Sequence, residues 1–584
     1  MKLKHTAIAL AALFAALNTS YAQDLDPTVV VNKAYESKLV QVHKPSFEME
    51  VPDSVTRFDL DFDYLVFEQP YKGADGFTPY VLNMKPTSTV PALRNLYLRA
   101  GVGYTLHPTL DVVWSPLRNK SFKLDVYAFH RSYVGDYRLF RPVIPHDGVL
   151  VIDRWRQSGG NKSHNDGYYD LKSVAGVDGR YETASLSAGF DVSYYGLASE
   201  DVSKKRMYDA LDVKLGVTSK PKSGSYFKYD VAAAYRFAED KLDYFYHADD
   251  YLGEHTIDLD ASLGQVMSGG HQLLVDVEAD FALYSEARAP GLPARDLQNM
   301  WQISLTPHYV LQKNLWAVDA GVTVSTYGQI VYPDIKASYA VIKDAMRIYA
   351  HIGGGNKLNT YASLLENNHH VDTRFDINGY ALKDVNVERI NASLGVEGRI
   401  GSIFSYDVNA GYVNYANCFL DAVVIAPEPN TSGIQYAPGV GYASYQKYFA
   451  SADWVLLNDA FQFDGNLTYT YAWGLKDGAG LFMPAALKGD VSFEYNWSKR
   501  IYAGVDCYFS TARKGTVRDI INGVSQYEAK IRGYADVGVN FEYAFNRDLS
   551  LWARGGNLLN MTIQRNPLYA EKGINLTVGI CLNL

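Results

Sequence analysis

The sequence has 584 residues with 64 acidic and 55 basic side chains, and its formal net charge of −9 argues against nucleic acid as a partner. Its mean hydropathy of −0.17 is that of a soluble chain, and beyond the N-terminus no run approaches the ~18 apolar residues of a membrane-spanning helix. These features exclude a helical membrane protein. A chain of this composition can be a membrane protein only if apolar and polar residues alternate along membrane-spanning strands.

The N-terminus has the three parts of a secretory signal. Lys2 and Lys4 precede an apolar run over residues 7–17, and Ser20-Tyr21-Ala22 supplies a small-x-small cleavage site. We therefore predict a signal peptide over residues 1–22. The next residue is Gln23 and not cysteine, so no lipid anchor is indicated, and the three cysteines of the chain cannot form a disulfide framework. Residues 23–93 contain many prolines and are predicted to form an N-terminal periplasmic or lumenal extension.

From residue 94 to 584 the sequence alternates with a period of two. Leu96, Leu98, Ala100 and Val102 share a face that opposes Tyr97, Arg99, Gly101 and Gly103. Seven further segments before the final one repeat the pattern, and the last of them predicts one strand from Ile531 to Tyr543. The final stretch gives the clearest case, with an aliphatic residue at every even position: Ile574, Leu576, Val578, Ile580, Leu582 and Leu584. It resembles the C-terminal strand that barrel-assembly machinery reads, although that signal usually ends in an aromatic residue.

Segment length favours a barrel over a soluble sheet. Many segments run to ten or more residues, which suits tilted transmembrane strands of about 9–11 residues and exceeds the usual ~5–6 of soluble sheets. The 46 tyrosines supply aromatic girdles. The prediction is an all-β fold, a large closed antiparallel transmembrane β-barrel of about 18–22 strands with 22 favoured. A soluble β-helix or propeller is the alternative, but the sequence shows no fixed repeat.

Short and long connections alternate along the predicted barrel. Short ones include His107-Pro108, Lys313-Asn314 and Arg547-Asp548, and barrels place such turns in the periplasm. The long connections are predicted at the cell surface, near residues 135–170, 198–205, 240–254, 286–298, 356–384, 416–438 and 512–526.

The inward faces of the strands carry the charged residues. Two neighbouring strands present a lumenal acidic patch, and other strands present Arg99, Lys214, Lys228, Arg236, Arg399, Lys488 and Arg532. One interpretation is a set of cross-strand ion pairs on a solvated wall, and the other is a site that favours cationic solutes. The acidic patch consists of Asp258, Asp260, Asp276, Glu278 and Asp280.

The sequence contains no catalytic signature, and we predict neither an enzyme nor a cofactor. A Gly-x-Ser-x-Gly elbow, a His-Glu-x-x-His motif and a phosphate-binding loop are all missing. His369-His370-Val371-Asp372 has metal-capable residue types, but adjacent histidines on an extended segment are expected to point apart, so no metal site is predicted. Tyrosines of the predicted loops either stack on sugars or peptides or serve as girdle and packing residues. They are Tyr168, Tyr169, Tyr244, Tyr246, Tyr251 and Tyr361.

The C-terminal region carries a family resemblance. Gly555-Gly556-Asn557-Leu558-Leu559-Asn560, Pro567-Leu568-Tyr569 and the final strand resemble the end of TonB-dependent receptor barrels, and the tract from Tyr332 to Tyr361 is similar to such barrels. The resemblance implies an outer-membrane transport protein. Receptors of this family also have a plug of some 130 residues, whereas only about 70 residues separate the predicted signal from Leu96. Thr28, Val29, Val30 and Val31 resemble the TonB box, which adds a strand to TonB.

We therefore expect an integral protein of the outer membrane of a Gram-negative bacterium. It would act as a transport channel, or as the membrane component of an uptake assembly, with a TonB-dependent-receptor-like barrel and no recognisable plug. The alternative is a non-conducting scaffold or adhesion barrel whose lumen is filled by residues 23–93 and which docks other envelope proteins. Expected partners are outer-membrane lipid, the barrel-assembly machinery during insertion, and TonB or a surface lipoprotein.

Overall fold

The computed structural model describes residues 95–584 apart from 105, 136–139, 144–149, 155–167, 201–203, 223, 245–246, 288–297, 344, 372–384, 428–433, 477–479, 520 and 522–524. The predicted signal peptide (1–22), the extension (23–93) and the TonB-box-like Thr28 to Val31 lie outside the described residues. No helix in this part of the chain is long and apolar enough to cross a membrane.

The described chain forms 26 strands and one helix. The first strands are β1 (Leu96–Tyr104), β2 (Thr109–Arg118), β3 (Phe122–Gly135), β4 (Phe140–Val143), β5 (Leu150–Arg154), β6 (Tyr168–Glu182), β7 (Leu186–Glu200), β8 (Lys204–Ser219), β9 (Tyr226–Tyr244), β10 (His247–Met267), β11 (His271–Ala287), β12 (Met300–Lys313) and β13 (Trp316–Ser325). The next elements are β14 (Val331–Ile342), β15 (Met346–Leu358), α1 (Tyr361–Asn367), β16 (Val385–Ile400), β17 (Phe404–Pro427), β18 (Ile434–Leu457) and β19 (Phe461–Lys476). The last are β20 (Leu487–Trp497), β21 (Ile501–Ser510), β22 (Arg513–Asp519), β23 (Ser525–Ile531), β24 (Tyr534–Ala544), β25 (Leu549–Gly556) and β26 (Asn575–Asn583).

Twenty-two of these strands close into one antiparallel barrel, which confirms the predicted fold and strand number. Neighbours along the chain pair with each other, except that β3 pairs with β6 and β21 pairs with β24. The final strand β26 pairs with β25 on one side and with β1 on the other, where Leu98 faces Leu582. The barrel wall therefore closes on itself.

The two faces of the wall differ as the alternation predicts. Leu576, Val578 and Ile580 of β26 point outward and are about half exposed, while Thr577 between them is buried. The same holds for β8, where Leu215 is exposed on the outside and Lys214 faces the lumen. An apolar outer face around a polar lumen is the arrangement of a transmembrane barrel.

One end of the barrel, here called the turn end, carries the short connections. Asn119, Asn458 and Asn546 each accept two backbone N–H groups from residues two and three positions ahead, at 2.7–2.9 Å. Such asparagine turns satisfy the backbone of a tight reversal locally. The prediction for His107-Pro108 was wrong, because this short turn joins β1 to β2 at the opposite end, here called the loop end.

At the loop end the strands run farther than the sequence predicted. Residues 240–254 and 416–438 were predicted as loops, but β9 runs to Tyr244 and β10 begins at His247, while β17 runs to Pro427 and β18 begins at Ile434. β9 and β10 keep an inward face there, on which Asp240 and Glu254 are buried. At the tips of β17 and β18 the alternation is lost, because both faces are covered by protein. Val424 and Val440, which lie on opposite faces of the β17–β18 hairpin, are 2% and 1% exposed.

Four strands form an extension of the sheet beyond the barrel wall. β22 pairs in parallel with β17, β23 pairs with β22, and β5 joins β23 in parallel before pairing with β4. We predicted one strand from Ile531 to Tyr543, but the structure divides it between β23 and β24. Because the alternation continues across the break, the pattern did not reveal it. Ile531 is buried beside Leu568, and Arg532 lies in the link and not on the wall.

Substitution of two adjacent residues of β8 tests which face meets lipid. Leu215→Arg should destabilise the folded barrel by about 2–4 kcal/mol, the cost of a basic side chain on the lipid face near the bilayer midplane. Lys214→Gln, its lumenal neighbour, should change stability by less than about 0.5 kcal/mol. Reversible unfolding in urea with lipid vesicles measures both. Equal effects of the two substitutions would contradict the assignment of faces.

Candidate functional site

A segment of the chain lies inside the lumen at the loop end. Residues 359–371, here called the mouth segment, leave the wall after β15 and contain α1. Thr360 caps the helix, since its hydroxyl accepts the N–H of Ser363 and the Ser363 hydroxyl accepts the N–H of Thr360. This reciprocal cap lets a helix of two turns begin at a defined residue.

The helix packs against two distant parts of the wall. Tyr361, Ala362, Leu364 and Leu365 are each at most 4% exposed. On one side they meet residues of β7 to β10, and on the other they meet Val440 of β18. In the order of strands around the barrel, β11 to β17 separate these two contacts on one side and ten strands separate them on the other. The mouth segment therefore crosses the lumen. The wall residues of β7 to β10 in this cluster are Leu197, Tyr208, Ala210, Ala238 and Leu252.

Glu254 of β10 holds the start of the helix. Its carboxylate accepts the backbone N–H of Tyr361 at 2.9 Å and that of Ala362 at 2.8 Å, and the hydroxyl of Tyr284 donates to it at 3.3 Å. The side chain is only 1% exposed. A carboxylate at the positive end of a helix stabilises that helix, and here it also ties the helix to the wall.

Arg206 of β8 holds the other end of the mouth segment. Its guanidinium donates to the backbone carbonyls of His369 and Val371, the latter at 3.0 Å, and forms an ion pair with Asp240 at 3.2 Å. The hydroxyl of Tyr361 donates to the same carboxylate. Arg206 and Asp240 are 1% and 2% exposed, so removing either charge would leave the other buried and uncompensated at a cost of about 3–5 kcal/mol.

A third anchor lies at the edge of this buried network. Arg236 of β9 forms an ion pair with Asp212 of β8 at 2.5 Å and a second with Glu366 of α1 at 2.9 Å. Because Glu366 is half exposed, this contact is worth less than the buried ones.

The predicted acidic patch lies on the wall next to these anchors, toward the turn end. Register places Asp258 opposite Asp280 and Asp260 opposite Glu278, so four carboxylates form a compact block. Asp276 lies at the next inward position and contacts His308 at 3.2 Å, which in turn bonds Asp319 at 2.7 Å. The structure thus brings all five residues together on one face, with a histidine bridge at one edge.

The flanking strands place small or neutral side chains beside the block. Ala232 and Ala234 of β9 lie opposite Asp260 and Asp258. On the other side, Gln302 and Ser304 of β12 lie opposite Asp280 and Glu278. Like charges in direct register repel each other across a sheet.

The expectation that His369 and His370 point apart was wrong. Their rings lie 4.0 Å apart, because the chain turns here and the Asn368 side chain accepts the N–H of His370. The Nε2 atom of His369 lies 2.9 Å from an Asp170 carboxylate oxygen, and the His370 ring stacks on Tyr569 at 3.8 Å. Asp372, the other member of the predicted motif, lies outside the described residues.

One lysine lies in the connection that follows β25. Burial lowers the pKa of Lys572 to about 8, although the Glu571 carboxylate opposes the shift. Its ammonium group lies 5.9 Å from the ring centre of Tyr133 in β3. This contact ties the connection to the barrel wall.

The predicted loop tyrosines serve packing where the structure describes their surroundings. Tyr361 is 1% exposed and Tyr169 is 8% exposed, so neither ring is available for stacking on a ligand. Tyr251 donates to Glu239 at 3.0 Å on the outer face. Tyr246 lies outside the described residues.

Sequence reasoning missed the three residues that hold the mouth segment. Asp240 and Glu254 fell within a predicted loop, and Arg206 came directly after another. The sequence did hold a signal for two of them. Asp240 and Glu254 lie at positions that continue the alternation of the inward-facing Arg236 and Asp258, which indicates that the strands continue through the predicted loop. The two-residue alternation of the strands cannot indicate what these residues bind, because their partner is α1 in the connection after β15.

Substitution of Glu254 tests the anchoring of the helix. Glu254→Gln should lower the free energy of opening of α1 by about 1–2 kcal/mol, because a charged hydrogen bond is stronger than a neutral one. Amides of residues 361–368 should then exchange with deuterium about 5–30-fold faster. Mass spectrometry of the exchange measures the effect. Glu239→Gln, on the outer face, is the matched control, and an equal change in both variants would contradict the assignment.

Comparison with known proteins agrees with this architecture. No family model matches the sequence, and no curated protein matches it. Solved structures do match: the copper transporter OprC at 11% identity covers 84% of this chain and 80% of its own, with a TM-score of 0.58. The FrpB iron transporter of Neisseria meningitidis (9% identity, 85% and 82% coverage, TM-score 0.58) and the siderophore receptor PirA of Acinetobacter baumannii (11%, 85% and 81%, TM-score 0.56) are similar. At these identities the likeness concerns the fold, and it confirms the predicted resemblance to the barrels of TonB-dependent receptors.

Proposed function

We propose that the protein is an outer-membrane transport barrel whose own mouth segment closes the lumen at the cell surface. It acts as a channel or as the membrane component of an uptake assembly. The observation that carries the proposal is the mouth segment, which crosses the lumen of a 22-strand barrel and is held by Glu254 and Arg206. The similarity in fold to proteins named as transporters and receptors supports transport over catalysis.

The mouth segment blocks the lumen, which is the role of the plug in TonB-dependent receptors. The stretch between the predicted signal and β1 is shorter than the plug of a TonB-dependent receptor, and we propose that this chain works without one. A helix fixed by two buried polar anchors is a discrete element that is either docked or released. Its release would open the loop end, which we assign to the cell exterior.

The acidic patch favours a positively charged solute. Its carboxylates line the path just below the mouth segment, and neutral residues flank them on both sides. A cation released past the mouth segment would next meet this wall. The solved structures with the same fold include proteins named for copper and iron transport, which is consistent with a cationic cargo.

The partners follow from the membrane location. The final strand, with Ile580 and its even-numbered neighbours outward, is suited to recognition by the barrel-assembly machinery during insertion. The TonB-box-like Thr28 to Val31 would pair with TonB by strand addition if uptake is energised. The predicted signal peptide fits export to the outer membrane of a Gram-negative bacterium.

A non-conducting scaffold is the second candidate. The loop end carries four strands beyond the wall and an apolar cluster in which Val517, Ile531 and Phe482 are at most 1% exposed. A built platform of this kind would suit docking of a surface lipoprotein. Co-purification of a stable partner from mild detergent, together with a lumen that stays closed in the deletion below, would favour it.

Deletion of the mouth segment tests the gate. The wild-type protein should show low conductance in a planar bilayer, and replacing residues 360–371 by a short Gly-Ser linker should raise it several-fold, because the helix no longer crosses the lumen. Replacing the exposed connection at residues 326–330, between β13 and β14, by Gly-Ser residues is the control and should leave the conductance low. High conductance of the wild-type protein would refute the gate, and a deletion variant that does not conduct would refute the channel.

Neutralising the acidic patch tests selectivity. In the opened variant, the combination Asp258→Asn, Asp260→Asn, Glu278→Gln and Asp280→Asn should move the reversal potential in a salt gradient toward the anion side, since four lumenal charges are removed. Asp209→Asn, on the outer face, should leave it in place. An unchanged reversal potential in the fourfold variant would show that the carboxylates serve only cross-strand contacts.

A further inference from the structure

Three groups that can ligate a metal meet where the mouth segment touches the wall. They are Asp170 of β6 together with His369 and His370, and one ligand atom from each lies within 4.8 Å of the others. All three residues are buried, at 1%, 4% and 4% exposure. The Nε2 atom of His369 and a carboxylate oxygen of Asp170 are already 2.9 Å apart.

The surroundings fix the orientation of these groups. Arg206 binds the carbonyl oxygens of His369 and Val371, which holds the backbone on both sides of His370. The ring of His370 lies flat on Tyr569, with an angle of 2° between the ring planes. Ligands that are held in place by a second layer of contacts bind metal more tightly than mobile ones.

We propose that Asp170, His369 and His370 bind a divalent transition-metal ion of the zinc, copper or nickel class. Imidazole nitrogen suits these ions, whereas calcium and magnesium require oxygen ligands. Ligands about 2.0 Å from a tetrahedral ion lie roughly 3.3 Å from each other, so a separation of 4.8 Å closes with a shift of about 1.5 Å. Three protein ligands leave the fourth position open to water or to a group on a ligand.

The ion would join parts of the loop end that are distant in sequence. Asp170 belongs to the wall, the histidines belong to the mouth segment, and Tyr569 belongs to the connection between β25 and β26. Binding would therefore stabilise the docked form of the mouth segment. The inference goes beyond the proposed function, because ion binding is measured without any transport.

The test uses two conservative substitutions in the full-length protein in detergent. His370→Phe keeps the ring that stacks on Tyr569 and removes its nitrogens, and Asp170→Asn keeps an oxygen for His369 and removes the charge. Titration with Zn²⁺ by calorimetry should show one ion bound by the wild-type protein. Each substitution should weaken binding more than about tenfold, since even changes behind the ligands cost 10–100-fold. His351→Asn, at another lumenal histidine, should bind as the wild type does.

A second measurement separates binding from misfolding. Zn²⁺ should slow deuterium exchange of residues 361–368 in the wild-type protein and in His351→Asn, and should have no effect in His370→Phe or Asp170→Asn. Absorption of bound Co²⁺ in place of Zn²⁺ would report nitrogen and oxygen ligands. The proposal is overturned if the wild-type protein binds no ion saturably, or if both ligand variants bind as tightly as the control. His369 and Asp170 would then form a hydrogen-bonded pair only.

Discussion

The structure depends on the pairing of the last barrel strand with the first. Within hydrocarbon every backbone N–H and C=O needs a partner in the protein, and an open sheet edge has none. β26 supplies that partner on both sides, with Gly579 opposite Trp552 of β25 and opposite Gly101 of β1. A side chain at Gly101 or Gly579 would collide with the Trp552 ring, which lies 2.4–2.6 Å from the position of an added Cβ. Closure therefore rests on close backbone contact at these glycines.

Once the wall is closed, its inner face is shielded from lipid, so polar side chains can concentrate there. Arg206, Asp240 and Glu254 are buried between the wall and the mouth segment. Each of them has an oppositely charged or hydrogen-bonding partner there. The same isolation holds for Asp170 and His369. Charges buried in this way are worth most when the partner is fixed, and the wall fixes them.

The sequence predicted the strands that have lipid on one face and the polar lumen on the other. β1, β8 and β26 follow the alternation closely, since each has one apolar and one polar environment. The tips of β17 and β18 do not, because protein covers both of their faces, as the buried Val424 and Val440 show. The acidic patch was predictable for the same reason as the strands. The mouth segment was not predictable from the sequence. Its helix is too short to show the 3.6-residue repeat of apolar positions, and its partners lie up to 199 residues away in the chain, as Asp170 does from His369.

The anchors set how the mouth segment can be released. Release would break the hydrogen bonds from Arg206 to the carbonyls of His369 and Val371 and those from the backbone of Tyr361 and Ala362 to Glu254. Hydrogen bonds to charged groups contribute about 1.5–3 kcal/mol each. The ion pair of Arg206 with Asp240 joins two wall strands and would stay. A ligand moves a two-state element from almost fully closed to almost fully open only if it binds the open state about 5.5 kcal/mol more tightly. In the proposed function, a cation that reaches the acidic patch only in the released state would have to gain this from several carboxylates at once, namely Asp258, Asp260, Glu278 and Asp280. An ion at Asp170, His369 and His370 would act in the opposite direction, so cargo and metal would compete for the two states of the same helix.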